Sequence, residues 1–504
     1  MSGQLSGPAP VAVRHLASPP MDETMRTRFA PAPSGDLHVG NVRTALFSFA
    51  LARGHGGTFL LRVEDTDRSR VSDEAYLAAV DVLHWIGIDW DEGPEIGGPF
   101  APYRQSERLD FYAAAAAKLK ESGAAYLCFC TPAELAERRE QARAANKPPG
   151  YDGRCRTLTD QQRADFAAEG RTSVLRFWMP DGTTTWADLV RGEITIDHAN
   201  VPDFALTRSD GHPLYLLAAA VDDVAMGLTH IVRGEDLVTA TPRQLALYAA
   251  LGYPQEKWPA FAHLPLIIGA DKAPLSKRHG EVSLAWYRDA GFLPEALANY
   301  LAQLGWSPGG DREFFGRDLL LAEFDVGRVS KNPARFDVKK LEALNGEWIR
   351  SLSDESLAAR VTPVLVAAGL TVDPALLAAA VPLIRERMAR LTEARDLLHF
   401  LFVDEALFEV EEVALAKGLG EGSGAVLRAA HERLSALDGW DAEALEPVIW
   451  GIGEDLGLNR KRTATPLRVA VTGRMMSPPL FESMHLLGRE RTLKRLLSAA
   501  ALAG

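Results

Sequence analysis

Two short segments carry side chains suited to handling phosphate. In the first, Ala30-Pro31-Ala32-Pro33-Ser34-Gly35-Asp36-Leu37-His38-Val39-Gly40-Asn41, a Pro/Gly loop runs into a helical pattern. Free N–H groups and the dipole at such a helix start attract phosphate, and Gly40 lets a nucleotide approach without a Cβ in the way. His38 can add a hydrogen bond to a phosphate oxygen. In the second, Lys272-Ala273-Pro274-Leu275-Ser276-Lys277-Arg278-His279-Gly280, the Lys277-Arg278 pair can stabilise charge moving onto a leaving pyrophosphate. Either segment alone reads as a loop histidine or a solvated basic loop; their joint presence carries the inference. A third group is Cys128, Cys130 and Cys155, the only cysteines. Thiolates so clustered suit a closed four-coordinate zinc site, the alternative being three reduced, buried thiols.

The elements that must position these residues follow from periodicity. Arg26 to Ala30 reads as a strand, Val42, Ala45, Leu46 and Phe49 as one face of a helix, and Thr58 to Val63 as a second strand ending in Glu64-Asp65-Thr66-Asp67. Strand, helix and strand make a parallel crossover, which predicts an open α/β sheet with ligands at the strand ends. A helix over Phe111 to Ser122, a polar helix near Pro132 to Ala145, and strands near Val174 to Phe177 and Glu193 to Ile196 read as an α+β insertion. His230 to Val232 returns as a strand, and Pro242 opens a helix to about Ala250. Beyond about 285 nearly every periodic segment is helical, including Pro294 to Leu304, Ser353 to Ala368, Pro374 to His399, Ala425 to Leu437 and the 441–504 region.

The expected organisation is a disordered extension (1–25), a Rossmann-like parallel-sheet domain in two parts (26–110 and 214–250) and an inserted α+β domain (111–213). A region carrying the Lys-Arg loop (251–350) and an all-α C-terminal region (351–504) complete it. The chain has 504 residues, 47% hydrophobic and 24% charged, which fits a soluble multidomain protein. Its net charge of −12 means that a polyanion must be held by a local basic surface. Between Arg460 and Arg495 nine Lys/Arg stand against two Glu, and phosphate contacts need such a face. An odd cysteine count argues against a secreted disulfide framework. No run approaches the ~20 apolar residues of a membrane helix, and the first 25 residues lack a signal-peptide core. A cytoplasmic protein with no membrane partner is expected.

The two phosphate segments, in this order, resemble the signature pair of class I aminoacyl-tRNA synthetases. Arg28-Phe29-Ala30-Pro31, Leu60-Leu61-Arg62-Val63-Glu64-Asp65-Thr66-Asp67, Pro102-Tyr103-Arg104-Gln105-Ser106, Val232-Arg233-Gly234-Glu235-Asp236 and Leu275-Ser276-Lys277-Arg278-His279-Gly280 are similar to bacterial glutamyl-tRNA synthetases. The resemblance implies ATP, with Mg²⁺, as substrate, attacked by glutamate and followed by transfer to tRNA(Glu). His38 and Lys277 would be catalytic, and His38, Gly40, Asn41, Lys277 and Arg278 would bind ATP. Arg28, Ala30, Glu64, Tyr215 and Arg233 would hold glutamate, Glu64 near its ammonium and the arginines near its carboxylates. It also implies zinc held by Cys128, Cys130, Tyr151 and Cys155 in the inserted, acceptor-stem domain. The helical C-terminal part would bind the anticodon, with Arg387, Arg460, Lys461 and Arg462 as candidates. A monomer is expected.

Three positions depart from the family's pattern. Ala32 and Ala219 stand where serine and asparagine are usual in the amino-acid pocket, and Pro274 replaces the first lysine of the second signature, with Lys272 nearby. A site that loses such donors loses discrimination. The competing reading is therefore a paralogue of altered amino-acid specificity, or a catalytically silent tRNA-binding or regulatory protein. A tRNA-modifying relative without an anticodon domain and a glutaminyl enzyme with a β-barrel anticodon part both fit the helical tail poorly.

Overall fold

The protein is described by a computed structural model over residues 11–15, 24–145, 150–276 and 282–503. Two compact units divide the chain, one over 1–286 and 298–337, the other over 287–297 and 338–504.

The first unit opens with β1 (Val11–His15), followed by β2 (Arg26–Phe29), α1 (Val39–Gly54) and β3 (Thr58–Leu61). β2 and β3 pair in parallel, Arg28 opposite Leu60, so the expected crossover is present. Val42, Ala45, Leu46 and Phe49 of α1 are buried, as are Phe47, Ala50 and Leu51. The helix is covered nearly all round, which explains why its sequence is apolar beyond one stripe.

Further along come β4 (Ala125–Cys128), β5 (Val174–Phe177), β6 (Gly182–Asp188), β7 (Gly192–Asp197), β8 (Phe204–Ala205), β9 (His230–Gly234) and β10 (Ala260–Leu264). β4, β5 and β8 make an antiparallel sheet, β6 and β7 an antiparallel hairpin, and β9 and β10 a parallel pair. β10 meets β6 at one position, Phe261 opposite Asp188. The backbone N–H of Thr229, just before β9, donates to the Arg26 carbonyl at 3.0 Å, which brings the ends of β2 and β9 together. One hydrophobic cluster runs through Val13, Tyr112, Leu119, Phe177, Trp186, Ile231, Leu245 and Phe261. The 111–213 stretch thus shares its core with the strands on either side of it.

The expectation that residues 1–25 stay outside the fold fails at Val11–His15. β1 pairs in parallel with Gly182–Trp186, Val13 and His15 are buried, and His15 Nε2 meets the Pro259 carbonyl at 3.0 Å. Three alternating positions are too few to announce a strand, but the open edge of β6 supplies backbone partners. β6 itself escapes a hydrophobicity reading because its buried face carries Thr184, Trp186 and Asp188, two of them polar.

In the second unit every described element is a helix or 3₁₀ turn, and helix starts are signalled locally. Ser353, Asp373, Asp441 and Asn459 each accept a backbone N–H of the first turn. Asp354–Ala367 and Ser423–Ser435 match expectation closely. The single helix expected over Pro374 to His399 is instead two, Pro374–Ile384 and Glu393–Phe402, separated by a 3₁₀ turn at Arg385–Arg387. Pro382, inside the last turn of the first helix, is a local signal for its end. Tertiary contacts hold the turn that follows: Met388 is buried, and Arg385 donates to the carbonyls of Arg350 and Leu352.

Much of the C-terminal basic charge is used inside this unit. Arg468 donates to Ser477 and the Pro478 carbonyl, Arg474 pairs with Asp396 and Glu411, and Arg489 donates to the Leu437 carbonyl. Arg491 and the buried Arg495 converge on Glu405, both at 2.9 Å or less. Burial pushes the Glu405 carboxyl up, but hydrogen bonds from Arg495 and Arg491 win and bring it down to about 2. Below its ordinary 4.5, this carboxylate stabilises the fold above about pH 4.5, and that contribution is lost as pH falls through about 2. Glu405→Gln should therefore destabilise the protein at neutral pH by about 1–3 kcal/mol. It should also flatten the acid limb of stability between those two pH values, as read by urea unfolding at a series of pH values.

Candidate functional site

A cavity of about 1140 Å³ opens where β2, β3 and β9 end. Arg28, Ala30, His38, Gly40, Asn41, Glu64, Tyr215 and Arg233 all line it. Eight expected residues, spread over 206 positions of chain, thus face one space. Lys277 and Arg278 lie outside the described residues, but Leu275, Ser276 and Val282 on either side line the same cavity. Ala32 and Pro274 line it too, whereas Ala219 is buried within the Tyr215–Ala225 helix and is not part of the lining. Lys272, in the left-handed region at φ 63°, does not line it either.

His38 is the N-cap of α1. Its Nδ1 accepts from the N–H groups of Gly40 at 3.1 Å and Asn41 at 3.4 Å, and the Asn41 side chain accepts from the His38 N–H in return. Val39 donates to the Val282 carbonyl at 3.0 Å. The first N–H groups of the helix are therefore engaged, contrary to the expectation that they stand free for phosphate. What remains is the dipole and the imidazole: with Nδ1 accepting, the proton sits on Nε2 as a donor. Desolvation lowers the His38 pKa against the pull of Asp236, which favours the neutral ring. A Cβ on Gly40 would sit 3.0 Å from His38 Cε1, so glycine is what lets the ring fold back over the helix start.

The opposite wall is a buried charge network. Arg62, fully buried, donates to Asp223 at 2.7 Å and to Glu64 at 3.1 Å, and Arg28 lies 3.6 Å from Asp223. Burial raises the Glu64 carboxyl, and Arg62 and Arg28 pull it down without fully cancelling the rise. Asp223 remains depressed because Arg62 and Arg28 outweigh its burial. Next to it, Asp222 accepts from Arg108, Gln105 and Tyr112 at 2.8, 2.9 and 2.7 Å. Tyr215 stands at the start of the same helix, its phenol pushed up by burial. Arg233 donates only to neutral groups, His263, Gln244, Thr241 and the Leu237 carbonyl, and makes no ion pair among the described residues. A buried cation of this kind beside a cavity is suited to an anionic ligand. Sequence reasoning missed Arg62, Asp222, Asp223 and His263. Two consecutive aspartates inside the apolar run of the Tyr215–Ala225 helix were the available signal.

The cysteine cluster is closed and specific. The three sulfurs lie within 4.8 Å of one another, Cys130 and Cys155 at 3.6 Å. The Tyr151 oxygen sits 3.4 Å from the Cys128 sulfur and 3.7 Å from that of Cys130, and accepts the Cys155 N–H at 3.0 Å. Tetrahedral Zn–S bonds of ~2.3 Å would set sulfurs roughly 3.8 Å apart. The donors present fit such an ion. A hydrogen bond with Cys155 draws the Cys128 thiol below its ordinary range despite burial.

On the second unit, Arg387 is exposed in its 3₁₀ turn, and Arg460, Lys461 and Arg462 are exposed at the start of the Arg460–Thr472 helix. The Arg460 guanidinium lies 5.0 Å from the Trp450 ring centre. Within the 460–495 stretch, Arg460, Lys461, Arg462 and Lys494 are the exposed remainder of the expected basic face, after the internal pairing of its other arginines.

Parallel strands ending in a histidine-capped helix and an arginine–carboxylate pocket, with an all-helical unit after them, form the catalytic plan of a class I tRNA synthetase. Residues 24–343 match the family described as tRNA synthetases class I (E and Q), catalytic domain, and residues 356–500 match the anticodon binding domain. The glutamate–tRNA ligase of Nocardioides sp. is 50% identical over 487 residues, 95% of this chain and 99% of that one. That of Rhodococcus jostii is 50% identical over 485 residues, 95% and 98% of the two chains. The crystal structure of a glutamate tRNA ligase from Elizabethkingia meningosepticum in complex with its amino acid superposes with a TM-score of 0.83. Its sequence identity is 32%, and the match covers 95% of this chain and 99% of that one. The chain belongs to the glutamate–tRNA ligase family.

The cysteine geometry predicts that titration with Cd²⁺ gives a thiolate-to-metal ultraviolet band saturating at one ion per chain, and that Cys155→Ser abolishes saturable binding.

Proposed function

We propose that the chain ligates glutamate to tRNA(Glu). The glutamate carboxylate attacks the α-phosphate of ATP, giving glutamyl-adenylate and pyrophosphate, and the acyl group then passes to the terminal ribose with release of AMP. The reading rests on one observation: the His38 cap and the Arg28–Glu64–Arg233 pocket face the same cavity. Glu64 takes the substrate ammonium, Arg28 and Arg233 its two carboxylates, and Tyr215 and Ala30 complete the pocket. The planar guanidinium suits carboxylate recognition better than lysine does. The neutral His38 Nε2–H meets the phosphates, Gly40 and Asn41 holding the ring from below, and Lys277 and Arg278 stabilise charge on the departing pyrophosphate. No side-chain nucleophile is needed, because catalysis is mainly by placement and charge. ATP is taken as its Mg²⁺ complex.

Cys128, Cys130, Tyr151 and Cys155 would hold Zn²⁺, which when bound supplies a structural cross-link for the 111–213 region. Residues 351–504 grip the anticodon through Arg387, Arg460, Lys461 and Arg462, while 251–350 contacts the stem. The protein works as a cytoplasmic monomer. A silent or respecified paralogue is disfavoured by relatives of one name over nearly the whole chain.

Aminoacylation of total tRNA with glutamate, glutamine and aspartate in parallel tests the proposal. Glutamate alone should accumulate on tRNA, and pyrophosphate exchange should need tRNA. His38→Ala should lower kcat by about 10²–10³-fold, and Lys277→Ala should abolish exchange. Charging by no amino acid would establish the silent alternative. Metal analysis of the purified protein should give one zinc per chain.

A further inference from the structure

Arg233 and His263 stand directly opposite each other on the parallel strands β9 and β10. Arg233 Nε donates to His263 Nε2 at 3.0 Å. The other ring nitrogen, Nδ1, lies 2.5 Å from Asp188 Oδ2, at the one point where β6 touches β10. The chemistry of the three groups allows one arrangement. Arginine cannot accept, so Nε2 must be the acceptor and Nδ1 must carry the proton to the carboxylate. Asp188 is itself pinned, its Oδ1 accepting the N–H groups of Val190, Arg191 and His263 at 3.1, 3.0 and 3.2 Å. All three side chains are at most 3% exposed. The ring is kept neutral: burial lowers the His263 pKa against the pull of Asp188, while His263 and the backbone donors keep the Asp188 carboxyl below its ordinary range despite burial.

Arg233 therefore differs from the other cavity arginine. Arg28 has Asp223 within 3.6 Å, whereas Arg233 touches no carboxylate directly among the described residues, reaching Asp188 through the His263 imidazole and Asp223 through the Gln244 amide. A carboxylate in direct contact would neutralise Arg233 and compete with a ligand. A neutral imidazole in between fixes the guanidinium plane and leaves its charge available to the cavity. Gln244 and Thr241 hold the remaining edge, at 2.9 Å each.

We infer that Asp188 and His263 are positioning residues for amino-acid recognition, holding Arg233 oriented but unneutralised for the substrate carboxylate. The inference rests on the reading of Arg233 as a glutamate-binding arginine. It makes the end of β6, in a stretch that carries no cavity-lining residue, part of the specificity apparatus.

Steady-state aminoacylation by the full-length chain, with KM for glutamate and for ATP measured separately, tests it. His263→Leu, which cannot accept from Arg233, should raise the glutamate KM at least tenfold and leave the ATP KM within twofold. His263→Gln, whose amide oxygen can replace Nε2 as acceptor, should bring the glutamate KM back to within threefold of the parent. Asp188→Asn keeps an acceptor without its charge and should raise the glutamate KM about threefold to fivefold, providing the test should His263→Leu fail to fold. Equal rises in both KM values, an unchanged glutamate KM in Asp188→Asn, or a Gln variant no better than Leu would overturn the inference. Arg233→Ala separates the two levels. If it leaves the glutamate KM unchanged, the reading of Arg233 falls and the inference with it; if it raises that KM and His263→Leu does not, only the inference falls.

Discussion

A carboxylate with no exposure to water remains ionised only when cations and donors surround it, and Asp223 is such a group. Arg62 at 2.7 Å, Arg28 at 3.6 Å and Gln244 at 2.7 Å meet its two oxygens. Arg28 belongs to β2, Arg62 follows β3, and Asp223 and Gln244 lie on two helices that flank β9 in sequence. Removing the aspartate would leave buried guanidinium groups uncompensated, a larger cost than the net worth of any one pair. The ligand-facing residues depend on this arrangement. Arg62 reaches Glu64 with its second nitrogen, Arg28 is turned toward the cavity, and Gln244 bridges Asp223 to Arg233.

The helix-start side of the cavity follows a different physical logic. A helix start normally offers unpaired donors, but here His38 and the Val282 carbonyl occupy them. The donor left at the helix start is then a single imidazole N–H, backed by the dipole of a 16-residue helix. The Val282 contact ties the cap to the chain just after the second of the two segments, so they are joined through backbone.

In the helical unit, positive charge is a structural material before it is a binding surface. Arg468, Arg474, Arg489, Arg491 and Arg495 terminate helices or join them by donating to carbonyls and carboxylates. The local excess between Arg460 and Arg495 overstates the exposed basic face accordingly. Of that stretch Arg460, Lys461, Arg462 and Lys494 stay exposed, fewer than the count along the chain.

Local patterns carried much of the design by themselves. The β2–α1–β3 crossover, the helix caps of the second unit, the glycine at position 40 and the cysteine spacing are written in neighbouring residues, because dihedral preference, periodicity and capping act over a few positions. Candidate residues from Arg28 to Arg233 were legible for the same reason, each standing at the end of a recognisable strand or the start of a helix. Only the folded chain decided how their charges are balanced. β1 needed the free edge of β6 before it could be a strand, the turn after Ile384 is held by a buried Met388, and Asp188 meets His263 only because β6 touches β10. Burial and the pairing of distant charges are sums over contacts far apart in sequence, and no window of neighbouring residues contains them.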